Sequence, residues 1–365
     1  MMKNFKTFII ILLMNLSVVL CDNSFSFLKG MAWSSLIADH NLTEIQWGYI
    51  PNVSNELMVH NNHKIDFELS LKYNYSIFNR GSYNWDFFSD QNQKHQSLDP
   101  YRFWIRYSND HFEGRLGLQK ISFGPSQIYR PLNWFGSPNY RDPTGQTNGV
   151  EALRLRYFPN QSIGIWAWIT SEQNSQPKYF SSQNNSYGGR LEYSNHYGDL
   201  GITTDIKSFN NNFYSKGSRF GLDYRYDGYI GFWLESAWSL VENSSQTGNT
   251  SSQSRNLVVS VGNDYTVPIG PGIYLLTESL YLDQSNNNYI PVEYQIQKNT
   301  SFMMQIPLGI FQQIMFVSNI NWNSNKTTNY FRWSSTFDQF IINFIVSNQP
   351  QIQSNQLQVM IIYNH

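Results

Sequence analysis

The chain has 365 residues, 14% of them charged and 16% aromatic, with 25 Lys and Arg against 26 Asp and Glu. The lack of a basic excess excludes a partner held by phosphate neutralisation, so no nucleic acid is expected. So polar a composition excludes a bundle of membrane helices, and a single cysteine, Cys21, excludes a disulfide framework.

In chain order the first element is a leader. Lys3 and Lys6 precede an apolar stretch from Phe8 to Leu20, interrupted only by Asn15 and Ser17, which is the pattern of a secretory signal over 1–21. Leu20 before Cys21 suits lipidation poorly, so cleavage at or just after Cys21 is expected. Loss of Lys3 and Lys6 then leaves 23 basic against 26 acidic residues. No later stretch reaches the ~18 consecutive apolar residues of a spanning helix. Segment 22–63 alternates weakly, and reads either as a periplasmic N-terminal segment or as a first hairpin within 44–60. His60 and His63 form a lone His-x-x-His without a third ligand in sight, which reads as a solvated turn.

Residues 64–75 alternate at twelve consecutive positions. Ile65, Phe67, Leu69, Leu71, Tyr73 and Tyr75 share one face of a strand, and Lys64, Asp66, Glu68, Ser70, Lys72 and Asn74 the other. One greasy and one charged face over such a length suit a closed barrel with lipid outside and water within. Short turns follow at Asn109-Asp110, Pro159 to Gln161, Asn195-His196, Asp227-Gly228, Pro268 to Gly272, Pro307 to Gly309 and Phe337-Asp338. Between them lie polar loops at 79–100, 123–149, 171–186, 208–216, 241–253, 284–299, 323–328 and 347–355. Short periplasmic turns alternating with long external loops predict an all-β, transmembrane, antiparallel up-and-down barrel over 64–365. About sixteen strands are expected, within a range of 14–18, and about eighteen if 44–60 adds a hairpin. Reversing the faces would set dozens of charges against lipid, at about 2–4 kcal/mol each near the midplane.

The alternation also assigns registers. Pairing across Asn109-Asp110 sets Tyr107 opposite Phe112, Phe103 opposite Leu116 and Tyr101 opposite Leu118 toward lipid. It sets Arg106 opposite Glu113 and Trp104 opposite Arg115 toward the lumen. Further on, Phe220, Leu222, Tyr224 and Tyr226 face out while Arg219, Asp223 and Arg225 face in. Ile230, Phe232, Leu234 and Trp238 repeat the outer face, leaving Trp233 and Glu235 inside. Leu357, Val359, Ile361 and Tyr363 alternate in the last strand, although His365 stands where such barrels usually carry a terminal aromatic residue.

The most specific stretch is 115–157: Arg-Leu-Gly-Leu-Gln-Lys-Ile-Ser-Phe-Gly-Pro (115–125), Tyr-Arg-Pro-Leu-Asn-Trp-Phe (129–135), Asp-Pro-Thr (142–144) and Gly-Val-Glu-Ala-Leu-Arg-Leu-Arg-Tyr (149–157). With Gly48-Tyr49-Ile50-Pro51 and Asp66-Phe67-Glu68-Leu69-Ser70 upstream, it resembles a largely uncharacterised family of porin-like outer-membrane barrels of Gram-negative bacteria. Alginate-export-type barrels are a more distant likeness. The resemblance covers roughly the first half after the signal. It implies an outer-membrane location and solute passage, and supplies no agreed substrate.

Inward-facing charge is uneven. Over 101–158 the arginines Arg102, Arg106, Arg115, Arg154 and Arg156 face the lumen with only Glu113 against them. Such a wall is expected to favour anionic solutes, because guanidinium keeps its charge and grips carboxylate or phosphate with paired hydrogen bonds. The structural alternative is that these arginines only pair locally or hold a loop. Loop 123–149 carries Pro125, Pro131, Pro138 and Pro143, and is expected to fold inward as a constriction lined by Arg130, Trp134, Phe135 and Asp142.

No nucleophile elbow, phosphate loop or dinucleotide fingerprint occurs, so neither an enzyme nor a cofactor is expected. The expected partners are outer-membrane lipid, the outer-membrane assembly machinery and small hydrophilic solutes, with monomer and homotrimer both open. Two further readings stand beside a porin-like channel. One is a non-conducting barrel for surface polysaccharide, with Trp104, Trp166, Trp168 and Trp233 stacking sugars; the other is a secreted soluble carbohydrate binder.

Overall fold

A computed structural model describes residues 28–39, 42–60, 62–80, 93–136, 141–171, 184–210, 214–244, 251–286, 293–349 and 354–365. The leader and Cys21 lie outside the described residues. Within them the chain forms eighteen strands. The first six are β1 (Leu28–Ala38), β2 (Leu42–His60), β3 (His63–Arg80), β4 (Gln93–Ser108), β5 (Phe112–Gln119) and β6 (Val150–Asn160). Next come β7 (Ile163–Ser171), β8 (Asn184–Asn195), β9 (Gly198–Asn210), β10 (Tyr214–Asp227), β11 (Gly231–Ser244) and β12 (Ser251–Val267). The last are β13 (Ile273–Asn286), β14 (Glu293–Leu308), β15 (Gln312–Asn321), β16 (Lys326–Phe337), β17 (Phe340–Gln349) and β18 (Ser354–Asn364).

Each strand pairs antiparallel with the next, and β1 pairs with β18, so the sheet closes on itself and no edge remains. The seam is finished by His365, whose backbone exchanges two 3.0 Å hydrogen bonds with Gly30. Its ring stacks between Tyr49 and Tyr363.

The count is eighteen rather than about sixteen because β1 and β2 complete the cylinder. Small and polar residues such as Gly30, Ser34, Ser35, Gln46 and Gly48 mix with apolar ones on both of their faces, which blurs the period of two. Several strands also run further into the external loops than expected; β4 begins at Gln93 and β14 at Glu293. Above the bilayer both faces of a strand are wet, so pairing continues where hydrophobic alternation has stopped.

Outward faces agree with the sequence. Phe103, Ile105, Leu116, Leu155, Ile165, Leu191, Ile202, Phe220, Phe232, Trp238, Val261, Phe344 and Leu357 are all exposed on the outside of the cylinder. Exposed Tyr107, Tyr157, Tyr193, Tyr226, Tyr229, Phe311, Phe337 and Phe340 lie at or beside the short turns. An apolar band above an aromatic girdle is what a bilayer and its interface require of a barrel wall.

Two pairings depart from the expected ones. Across the turn after β4, Ser108 pairs with Glu113, Arg106 with Arg115 and Phe103 with Leu118, a slip of two from the expected register. Asn109 explains it: its Oδ1 accepts from the N–H groups of His111 and Phe112, making a wider turn than a two-residue hairpin. Faces are unchanged because the slip is even. Tyr101, expected toward lipid, instead packs inward beside Trp33 and Ile50. A bulge explains this, with Ser70 opposite Arg102 and Leu71 opposite Pro100, which leaves Tyr101 as the extra residue.

Three inward tryptophans lie flat on the wall, each over a glycine on the neighbouring strand. The pairs are Trp33 with Gly48, Trp168 with Gly188, and Trp233 with Gly262. A Cβ at any of these glycines would fall within the indole ring. Gly188→Val should therefore lift Trp168 off the wall at about 1–3 kcal/mol, as overpacking does. The expected readout is a lower temperature for loss of the compact, unheated band of the detergent-purified barrel in gel electrophoresis.

Candidate pore and its inward loop

The segment joining β5 to β6 does not sit on the rim; it crosses the interior. Its departure is fixed by Gln119, fully buried, whose Nε2 donates to the carbonyl of Ala152 at 2.9 Å on the returning strand. Ile121 and Phe123 then pack on inward residues, with Phe123 5.0 Å from Trp168. Small inward residues, Ala152 on β6 and Ala237 on β11, leave the room that Leu132 and Phe135 fill.

Two carboxylates on the wall hold the loop by its backbone. Glu235 on β11 accepts from the N–H groups of Ser126 and Leu132. Glu278 on β13 accepts from Gln127, Ile128 and Tyr129 at 2.9–3.1 Å, and from Ser260 Oγ at 2.9 Å. Both side chains are fully buried. Gly124, at φ +81°, lies so close to Glu235 that a Cβ there would overlap the carboxylate. Farther round, Ser301 on β14 donates to Tyr129 Oη at 2.8 Å, and Tyr330 on β16 donates to the carbonyl of Arg141 at 2.8 Å. The returning limb is caught by Arg102, whose guanidinium donates to the carbonyl and Oγ1 of Thr147 at 3.0 and 2.9 Å. Contacts therefore run from β4 round to β16, and the loop spans the lumen.

The landing surface was not foreseen. Leu276, Met303, Met315, Val317, Tyr330 and Ile345 form a buried inner cluster on β13 to β17, against which Ile128 packs. Strand β15 is apolar on both faces over Ile314, Met315, Phe316 and Val317, so a simple wet-inside reading fails there.

The four residues expected at the constriction are engaged by different parts of the interior. Phe135 is buried in the cluster with Phe123 and Trp168. Trp134 lies under the Arg219 guanidinium, 5.0 Å from its ring centroid. Arg130, at φ +49°, donates from Nε to the carbonyl of Gln127. Asp142 accepts from the N–H and Oγ1 of Thr144 at 2.9 and 2.6 Å and lines a cavity on the external side.

The arginines do gather. Because of the register slip, Arg106, Arg115 and Arg154 stand directly opposite one another across β4, β5 and β6, and Arg156 stands opposite Glu113. Glu113 lies within 4 Å of Arg106, Arg115, Arg154 and Arg156. Asp66 on β3 binds Arg106 at 2.7 Å. Indole faces take part of the remaining charge: Arg115 lies 4.3 Å from Trp104 and Arg156 4.0 Å from Trp166. Counting Asp66 and Glu68, which the sequence reading left out, five arginines meet three carboxylates on this wall. Among the described residues, the buried Nε–H groups of Arg115, Arg154 and Arg156 have no acceptor. Arg102, by contrast, is buried and spent on the loop.

On β8 to β10 the arginines are neutralised in pairs. Arg190 binds Glu192 and Asp223, Arg219 binds Asp205, and Arg225 binds Asp227. Trp168 and Trp233 are buried beneath the loop, and Trp104 and Trp166 lie under guanidiniums, so these four are not free platforms for sugars. His63 is bonded to Tyr107 Oη at 2.7 Å; the side chain of His60 lies outside the described residues.

No protein-family model matches the chain, and no curated protein matches it in sequence. Solved structures do resemble it in fold. OccK2 (OpdF) of Pseudomonas aeruginosa, in complex with glucuronate, is 7% identical over 93% of this chain and 95% of its own, with a TM-score of 0.57. OccD3 (OpdP) of the same organism is 9% identical over 92% and 90%, with a TM-score of 0.54. OccK5 (OpdH), also of P. aeruginosa, is 10% identical over 92% and 97%, with a TM-score of 0.53. The chain has the fold of a transmembrane barrel of the outer-membrane type.

Cutting the loop from one anchor should free it. Glu278→Ala leaves three backbone N–H groups unpaired, at about 1–3 kcal/mol for each buried donor. Chymotrypsin is then expected to cut after Tyr129 at least tenfold faster than in the parent barrel in detergent, as read by mass spectrometry of the fragments.

Proposed function

We propose that the chain is a porin-like channel in a bacterial outer membrane, passing small hydrophilic solutes, with a preference for anions, through a lumen narrowed by the loop between β5 and β6. The observation that carries this is the row of Arg106, Arg115 and Arg154. Like charges directly opposite one another destabilise a sheet, and Glu113 with Asp66 supplies two negative charges against the three of the row. An interior serving stability alone is better built from pairs, as on β8 to β11. The partly exposed guanidiniums of Arg106 and Arg156 can offer charge-assisted hydrogen bonds to a passing carboxylate or phosphate. The likeness to OccK2, captured with the carboxylated sugar glucuronate, supports the same reading.

The reading involves no catalytic step and no cofactor. The resemblance of 115–157 to porin-like barrels supports the same reading, and Gln119 within that stretch fixes the loop's departure. A soluble carbohydrate binder finds no support in a wall with so continuous an apolar exterior. A polysaccharide-handling barrel loses its motive with the four covered tryptophans.

In planar bilayers with a salt gradient, the refolded barrel is expected to give a reversal potential of anionic sign. Arg115→Gln with Arg156→Gln should move it toward zero, and a cation-selective parent barrel would refute the proposal. Removal of 126–147 should raise single-channel conductance several-fold; an equal conductance would show that the loop does not limit passage.

A further inference from the structure

The external half of the lumen has a chemistry of its own. Between the loop and the ends of β2, β3, β17 and β18 lies a cavity of 390 Å³, within the ~300–1,000 Å³ range of small-molecule sites. Five primary amides lead its polar lining, Gln46, Asn74, Gln146, Gln356 and Gln358, and its charged groups are Lys72, Arg141 and Asp142. Its apolar floor is Trp33, Ile345 and Met360. Among the described residues Gln146 and Gln358 have no hydrogen-bond partner, and Gln356 has only a long 3.4 Å bond from Ser347. A second cavity of 240 Å³ continues past Arg141 with Asn299, Asn319, Asn321 and Lys326. The one carboxylate of the larger cavity, Asp142, already accepts twice from Thr144.

An amide offers a donor and an acceptor side by side, which is the complement of a hydroxyl that both donates and accepts. Several convergent amides over an apolar floor suit a ring with hydroxyls at its edge and C–H bonds on its face. A carboxylate or phosphate would meet Lys72 and Arg141 here but a denser set of guanidiniums at the arginine row below, and an amine would find only Asp142, already engaged by Thr144. We infer that this external collar binds an uncharged polyhydroxylated solute, a mono- or disaccharide, ahead of the loop. The inference rests on the channel reading for the sugar's route, and not for its binding.

Maltose is the probe. Added to the refolded full chain in a planar bilayer, it should reduce the ionic current saturably, with half-block near ~1 mM. Gln356→Leu with Gln358→Leu should raise the half-block concentration at least tenfold, while Val359→Ala, on the lipid face of the same strand, leaves it unchanged. A current that falls only in linear proportion to maltose, or a block insensitive to the double substitution, overturns the inference. A barrel that carries no current refutes the channel reading alone. Tryptophan fluorescence in detergent then decides the site: a saturable change lost in the double variant supports it, and a flat titration overturns it.

Discussion

Five backbone N–H groups of an irregular loop are held inside the barrel by two buried carboxylates, Glu235 and Glu278. A loop carried into an interior brings polar backbone that has no strand partner, and each unpaired group is costly. Two carboxylates supply four oxygens to these donors at once, and charge-assisted bonds are the strong ones. Everything else about the lumen follows from this attachment. Small residues beneath Leu132 and Phe135, a glycine against Glu235, and an apolar patch under Ile128 make room for a segment already pinned in place.

The loop divides the interior into two chemistries. On the periplasmic side, where β4, β5 and β6 approach their short turns, lies the arginine row. On the external side, amides and hydroxyls outnumber the charged groups, which are Lys72, Arg141, Asp142 and Lys326. A solute entering from outside meets a lining rich in amides before it meets the close-set row of guanidiniums. Selection by shape and hydroxyl pattern can thus precede selection by charge.

Much of this was legible before the fold was known. The period of two assigned faces correctly from Phe103 to Tyr363, because lipid tolerates no exceptions on its side of the wall. The inward course of the β5–β6 loop was legible from its length, its prolines and its arginine neighbours. What stayed hidden obeys weaker rules. The landing patch of Leu276, Met303 and Val317 was invisible because the inner face answers to the loop rather than to water. Glu235 and Glu278 were single acids among many, and only their isolation on strands rich in apolar and small residues hinted at a task. The extra hairpin was left open within 44–60 and is instead formed by β1 and β2, where glycine and serine dilute the alternation, and the tryptophan–glycine partnerships emerge only once strand registers are known.

The wider turn at Asn109 has a corollary for how such walls can vary. A hairpin whose partners shift by an even step keeps every side chain on its own side, whereas an odd step would turn the cylinder inside out along that strand. Insertions and deletions at the short rim should therefore be tolerated in twos. The arginine row owes its existence to one such even step, which brought three like side chains abreast without exposing any of them to lipid.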